Sequence, residues 1–260
     1  MPDKPKTARR RWPWIALAVA VVLGAAGAYG IWWFLKDDAP AAVSLDRALD
    51  NVSTTTAAPL PTTAGSDTTE PVSGGVAGTW AVDQSLGEFS FDDATGSFVG
   101  FRIEEELRGI GSSTAVGRTP AVTGTITIEG TTLTATAIEA DLSKLTTNES
   151  RRDSRARGAL DTSQFPKATF TLTEPVDLGD GAASGAKVTV NAKGDLTIHG
   201  VTKPVQVAIE AQQKNGVIVV IGSLDVVFAD YGVSVPSAPV VVSAEDHGIV
   251  EMQLLFTKKS

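Results

Sequence analysis

Two neighbouring segments of the chain alternate regularly between apolar and polar positions. His199 and Gly200 separate the segments and favour a turn, and Pro204 lies near the start of the second. This pattern predicts a long β-hairpin with one apolar face. The apolar residues of the first segment are all even-numbered and those of the second all odd-numbered: Val188, Val190, Ala192, Leu196 and Ile198, then Val205, Val207, Ile209 and Ala211.

Similar alternation recurs from residue 99 to the C-terminus, with β-branched residues frequent and turn residues at short intervals. One run changes phase, from odd apolar positions ending at Ala137 to even ones starting at Ile138, which predicts a β-bulge there. The pattern predicts an all-β domain but does not distinguish a sandwich from a barrel. One segment, residues 147–160, breaks this pattern, because it is rich in charged residues and shows no alternation. It is predicted to form a short helix with Thr147 or Asn148 as its cap.

Five short motifs carry a family resemblance. The predicted hairpin turn reads DLTIHGVTKPV (195–205), and the other motifs read WAVD (80–83), TNESRRD (147–153), QFPKATF (164–170) and DYGV (230–233). Together they resemble the YceI family, whose members are extracytoplasmic lipocalin-like proteins associated with polyisoprenoid lipids. The resemblance implies an antiparallel barrel around an elongated apolar cavity, with the helix near one end. The chain departs from the family at Arg155, where a His is usual, and lacks an adjacent Phe pair.

Residues 15–35 form an apolar run of about 21 residues, long enough for a transmembrane helix. Residues 1–14 are basic, so they are predicted to form a cytoplasmic tail and to leave the C-terminal domain extracytoplasmic. The alternative is a signal peptide cleaved after Ala28, since residues 26–28 read AGA. We favour the uncleaved anchor because the apolar run continues past that point.

Residues 36–77 are rich in Thr, Ala and Pro and are predicted to be a disordered linker. A short helix around residues 44–49 is an alternative for part of this segment. The linker would act as a passive spacer or as a tether that keeps a ligand site near the membrane. The folded domain is expected to span residues 78–260.

Composition excludes several classes of function. The chain has no Cys, two His and a formal net charge of −8. Thiol chemistry is therefore excluded, a zinc site is not expected, and nucleic acid is an unfavourable partner. The chain contains no sequence motif of a nucleophile elbow or a nucleotide-binding loop, so we expect a binding protein rather than an enzyme, with no catalytic residues. The oligomeric state is not determined by the sequence.

Two sets of candidate site residues follow. Arg151, Arg152, Arg155 and Arg157 could capture a phosphate or quinone head group, or could form a solvated helix face. His199 is expected to be a structural turn residue. Several inward-facing positions are small and would leave volume for a ligand, although the same faces could instead form a solid core. The candidate cavity-lining residues are Phe101, Ile126, Leu133, Ala135, Phe170, Ala192, Leu196, Ile198, Val207, Phe228 and Leu254.

These features support one main hypothesis. The protein would be a membrane-anchored, extracytoplasmic binding protein that holds an isoprenoid-type lipid, either a polyprenyl phosphate or a quinone tail, in an apolar barrel cavity. No other cofactor is expected. The alternative is a ligand-free structural or protein-interaction domain of the cell envelope. A weaker third hypothesis is an enzyme that acts on a lipid through His199 or the Arg cluster.

Overall fold

The computed structural model describes residues 39–54, 75–109, 111–234 and 241–259. The predicted cytoplasmic tail and the predicted transmembrane helix at 15–35 lie outside these residues. No helix among the described residues combines the length and the apolar character needed to cross a bilayer.

Two α-helices and 13 strands make up the described part of the chain. The helices are α1 (Leu45–Thr54) and α2 (Ser150–Ala159), and short 3₁₀ turns occur at Leu142–Lys144, Asp180–Ser184 and Phe228–Tyr231. The strands are β1 (Gly78–Val82), β2 (Phe98–Leu107), β3 (Gly111–Thr119), β4 (Val122–Glu129), β5 (Thr132–Asp141), β6 (Thr146–Thr147), β7 (Lys167–Leu172), β8 (Val176–Asp177), β9 (Val188–Ile198), β10 (Val201–Lys214), β11 (Val217–Val227), β12 (Val241–Ala244) and β13 (His247–Lys258).

The strands form an antiparallel barrel of eight strand positions that closes where β1 pairs with β13. Strands β1 and β2 together fill one position, because β13 pairs with β1 near its C-terminal end and with β2 nearer its start. Strands β3 and β4 fill the next position, followed by β5, β7, β9, β10, β11 and β13. The expectation of an all-β, antiparallel, lipocalin-like barrel is therefore confirmed.

The predicted hairpin is strands β9 and β10. Ile198 pairs with Val201, so His199 and Gly200 are the two turn residues, with φ angles of 52° and 74°. Positive φ at both positions is typical of the tight turns that match strand twist. Nδ1 of His199 donates a hydrogen bond to the Tyr231 carbonyl oxygen at 3.0 Å, and its ring lies edge-on to Phe165. His199 thus has the structural role expected for it.

One half of the barrel interior is filled with side chains. Trp80 and Phe256 are almost fully buried there, and Nε1 of Trp80 donates a hydrogen bond to the Val76 carbonyl oxygen at 2.8 Å. The other large residues of this core include Val122, Ile126, Ile128, Leu133, Ile138, Val188, Ile218 and Leu254. We call this region the packed half of the barrel.

The β-bulge lies earlier in the chain than predicted. The register between β4 and β5 shifts where Thr127 pairs with Ala135 but Ile128 pairs with Leu133. An extra residue reverses which face the following side chains occupy. Leu133 therefore points inward whereas Ala135 is exposed, and the expected phase change at 137–138 is wrong.

Part of the predicted linker is ordered, which corrects that expectation for residues 39–54. Helix α1 packs against the outer wall of the barrel, and its apolar residues follow helical spacing. Of the other linker residues, 75–77 are described, whereas 36–38 and 55–74 lie outside the description. The contact joins Leu45, Ala48, Leu49 and Val52 of the helix to Val217, Val219, Ile221 and Leu255 of the wall.

A buried ion pair fixes the chain just before α1. Arg118 and Glu251 have side chains only 4% and 1% exposed, and Nη2 of Arg118 lies 2.9 Å from Oε1 of Glu251. Nη2 of Arg118 also donates to the Ala41 carbonyl oxygen, at 3.0 Å. Nη1 of Arg102 donates to the Pro40 carbonyl oxygen at 2.7 Å and lies 3.9 Å from Oε2 of Glu251. The three charged groups hold residues 40 and 41 against the barrel.

Truncating Leu45 to Ala should lower the free energy of unfolding by about 3 kcal/mol, because the side chain is buried and leaves a cavity. Asp50→Ala on the exposed side of the same helix is the control and should change it by less than about 0.5 kcal/mol. Urea unfolding followed by circular dichroism measures both. Equal small effects would show that α1 does not stabilise the barrel.

Replacing Glu251 by Gln should cost about 3 kcal/mol or more of unfolding free energy, because Arg118 then stays buried without its counter-ion. Glu174 forms an ion pair of the same 2.9 Å length with Lys193, but both side chains are more than half exposed. Glu174→Gln should therefore change stability by less than about 1 kcal/mol. Similar losses in the two variants would contradict the importance of the buried pair.

Candidate functional site

The other half of the barrel encloses a cavity of about 550 Å³. Along β13, Val250 faces this cavity, whereas Leu254 and Phe256 belong to the packed half. Arg155 and Ser234 line the cavity and are also exposed, so the cavity reaches solvent at this end. We call this end of the barrel the mouth.

Small residues create the space. Ala115 and Ala168 line the cavity on β3 and β7, where larger side chains would fill it. The Phe101 ring lies flat against β3, because Gly117 has no Cβ and any Cβ there would clash with the ring. The apolar wall is completed by residues of β2, β9 and β11, among them Val99, Ile103, Ile198 and Val226.

Helix α2 partly covers the mouth, and side-chain hydrogen bonds hold it in place. Oδ1 of Asp153 accepts hydrogen bonds from the Thr147 backbone N–H and hydroxyl, both at 2.7 Å. Nη1 of Arg157 donates to the Leu145 carbonyl oxygen at 2.8 Å. The helix starts at Ser150, and Glu149 has the N-cap position. Neither of the two predicted cap residues, Thr147 and Asn148, therefore caps the helix, and Thr147 pairs in β6 instead.

The structure separates the four candidate arginines into different roles. Arg152 lines the cavity, but its Nη2 lies 2.9 Å from Oε2 of Glu105 and its Nη1 donates to Oδ1 of Asn148 at 2.9 Å. Arg155 lines the cavity at the mouth and has no ion-pair partner within the described part of the chain. Arg157 binds a backbone carbonyl group and does not line the cavity. The Arg151 side chain lies outside the description.

Two carboxylates accompany the two cations on the cavity wall. Burial raises the pKa of the Glu105 carboxyl, and the nearby Arg152 guanidinium opposes part of that rise. Glu149 lines the cavity beside α2. The formal charges of Arg152 and Arg155 therefore balance those of Glu105 and Glu149. Arg152 already forms an ion pair with Glu105.

The predicted lining residues fall into three groups. Phe101, Ile198 and Phe228 border the cavity. Ala135 is exposed because of the register shift in β5. The others are partly or fully buried in the barrel but do not border the cavity. They lie in the packed half or between it and the cavity. These residues are Ile126, Leu133, Leu254, Phe170, Ala192, Leu196 and Val207.

Several lining residues were missed from the sequence. Val99 and Val250 lie on alternating strands and share the phase of inward residues, so periodicity could have identified them. Ala115 lies in a Gly- and Ser-rich strand with no clear alternation. Glu105 belongs to a run of three glutamates, a pattern typical of an exposed surface, but its carboxylate pairs with Arg152 on the cavity wall. Within the described residues no group of His, Asp and Glu side chains could hold a metal ion.

Comparison with known proteins places the chain in a family. The model of the YceI-like domain matches residues 90–256. The protein YceI of Escherichia coli is 34% identical over 113 residues, which cover 42% of this chain and 53% of that protein. A UPF0312 protein of Vibrio vulnificus is 33% identical over 105 residues, covering 39% and 52%. The chain spans about half the length of such curated relatives.

A solved structure has the same fold. A polyisoprenoid binding domain from Saccharophagus degradans, implicated in plant cell wall breakdown, superimposes with a TM-score of 0.51 at 20% identity. The match covers 69% of this chain and 98% of that domain. At this identity the likeness concerns the fold alone. Because the family model covers more than half of the sequence, from the middle of the β1–β2 loop to the last strand, the chain belongs to the YceI-like domain family.

Proposed function

We propose that the protein binds a long-chain lipid of the isoprenoid type inside the barrel and does not catalyse its conversion. The observation that carries the proposal is the apolar cavity of about 550 Å³, which lies in the size range of small-molecule sites in proteins. Its wall is mainly aliphatic and aromatic, and its polar groups gather near the mouth. This arrangement suits a lipid whose hydrocarbon chain lies in the cavity and whose polar head group lies at the mouth.

Affinity would come mainly from burial of the hydrocarbon chain. Each buried CH₂ group contributes about 0.8 kcal/mol, so a five-carbon isoprene unit contributes about 4 kcal/mol before the cost of immobilising the chain. This term rewards chain length and requires no specific polar contact. The preformed cavity lowers the cost further, since few side chains must rearrange when the chain enters.

The head group would meet Arg155. This guanidinium is exposed at the mouth and has no ion-pair partner in the described residues, so it can bind a phosphate or donate to a quinone oxygen. Arg152 is less available because Glu105 neutralises it. A polyprenyl phosphate and a quinone therefore both remain candidates, and the two can be separated by their dependence on charge.

The location of the protein is part of the proposal. An apolar run at 15–35 preceded by basic residues supports a single membrane anchor with a cytoplasmic N-terminus. The barrel would then lie on the extracytoplasmic side. Such an anchor would keep a lipid-binding cavity close to the bilayer that contains its ligand.

Partly filling the cavity should reduce lipid binding. Ala168→Leu adds a larger side chain to the empty volume, so we expect several-fold less lipid to co-purify with the full chain, without loss of stability. Ala135→Leu adds the same side chain at an exposed position of the adjacent strand and is the control. Lipid extraction followed by mass spectrometry measures the outcome. Absence of lipid from the unmodified protein would favour a ligand-free envelope domain.

Charge variants should distinguish the head groups. Arg155→Gln should weaken binding of a polyprenyl phosphate by up to about 1 kcal/mol, or about fivefold, and leave a quinone nearly unaffected. Glu105→Gln should strengthen phosphate binding to a similar extent, because it frees Arg152. Competition between the two lipids, read by mass spectrometry, measures both shifts. Equal effects on the two lipids would exclude a head group held by charge.

A further inference from the structure

Three large apolar side chains are strongly exposed among the described residues: Val227 (46%), Val242 (59%) and Ile249 (40%). All three lie at the mouth. Val227 ends β11, Ile249 is near the start of β13, and Val242 is in β12, which pairs with the last residues of β2. We call these three residues the apolar rim.

The rim adjoins the cavity. Val227 pairs with His247, and Asp225 pairs with Ile249, so Val227 and Ile249 are diagonal neighbours on the outer face of the same two strands. Val226, between Asp225 and Val227, faces the cavity, and Val241 next to Val242 does so as well. The same strand ends thus present apolar side chains to the cavity and to the outside.

The opposite end of the barrel differs. Its described turns, at 130–131, 178–187 and 215–216, carry no large exposed apolar side chain. Isolated exposed apolar residues are common on protein surfaces, but among the described residues the large ones occur at one end of the barrel only. The asymmetry indicates that the mouth, and not the whole surface, contacts something apolar.

The chain also joins the barrel beside the rim. Arg102, which binds the Pro40 carbonyl oxygen, pairs with Ile249 across β2 and β13. The predicted membrane segment ends at residue 35, only five positions before Pro40 in the sequence. This short distance in sequence between a predicted membrane segment and the barrel supports a bilayer as the partner of the rim.

We propose that the apolar rim docks onto a lipid bilayer, so that a lipid tail passes between bilayer and cavity without crossing water. This inference rests on the proposed lipid-binding function and adds the surface through which the ligand enters. Within the described part of the chain, acidic groups outnumber cations around the rim. Arg108 and Arg155 are the exposed cations near it, and the acids are Glu106, Asp225, Asp230, Glu245 and Asp246, the last two beside His247. An uncharged, zwitterionic bilayer is therefore a better partner than an anionic one.

The test uses the absence of Cys in the chain. Val242→Cys is labelled with an environment-sensitive dye, and the full-length protein is inserted into phosphatidylcholine nanodiscs that contain spin-labelled lipid. Ala183→Cys, exposed in the 3₁₀ turn at the opposite end, is the matched control. We expect the dye at residue 242 to be quenched several-fold more than the dye at 183. Equal quenching, or shielding of residue 242 without quenching by lipid, would overturn the proposal.

A second measurement separates this proposal from the lipid-binding function. The variant Val227→Ser with Val242→Ser leaves the cavity wall unchanged, so it should retain co-purified lipid but exchange it with phosphatidylcholine vesicles several-fold more slowly. Unchanged exchange by a lipid-bearing variant would overturn the rim alone. A protein that carries no lipid in either form would overturn the binding function on which the rim depends.

Discussion

The volume inside a closed barrel is limited by its strand number, and the inward side chains decide how much of it stays empty. In this protein the closure between β1 and β13 sets that limit. Bulky residues such as Trp80 and Phe256 fill one half, where they provide most of the buried apolar core. Alanines such as Ala115 and Ala168 occupy the other half. The packed half thus provides most of the stability of the barrel, and the other half provides the cavity.

The face of each strand could be read from the sequence wherever pairing is local. In the β9–β10 hairpin a two-residue turn at His199 and Gly200 fixes the register, so the alternation of both strands gives the correct inward face. Ala135 was misassigned because its register depends on an extra residue opposite β4. Whether an inward residue borders the cavity depends on its position along the barrel axis. That position is set by pairings between strands that are distant in sequence.

Helix α1 shows how composition can hide a helix. Leu45, Ala48, Leu49 and Val52 have the spacing of an amphipathic helix, but Thr- and Pro-rich neighbours suggested disorder. The helix forms because the barrel wall offers an apolar surface to bury, and a short isolated helix would be marginal in water. No local signal identified Arg118 and Glu251 as the pair that holds the preceding residues, since their contact spans 133 positions in sequence.

Ordering of residues 39–54 changes how the barrel is connected to the rest of the chain. A coil of about 40 residues would let its ends separate by roughly 35 Å and rotate freely. Residues 40 and 41 are instead bound by Arg102 and Arg118, whose positions are set by the buried carboxylate of Glu251. Because these arginines lie on β2 and β3, which also form the cavity wall, the attachment point and the cavity belong to one hydrogen-bonded sheet. Residues 40 and 41 are therefore held by the same wall that lines the cavity, and they are as stable as that wall.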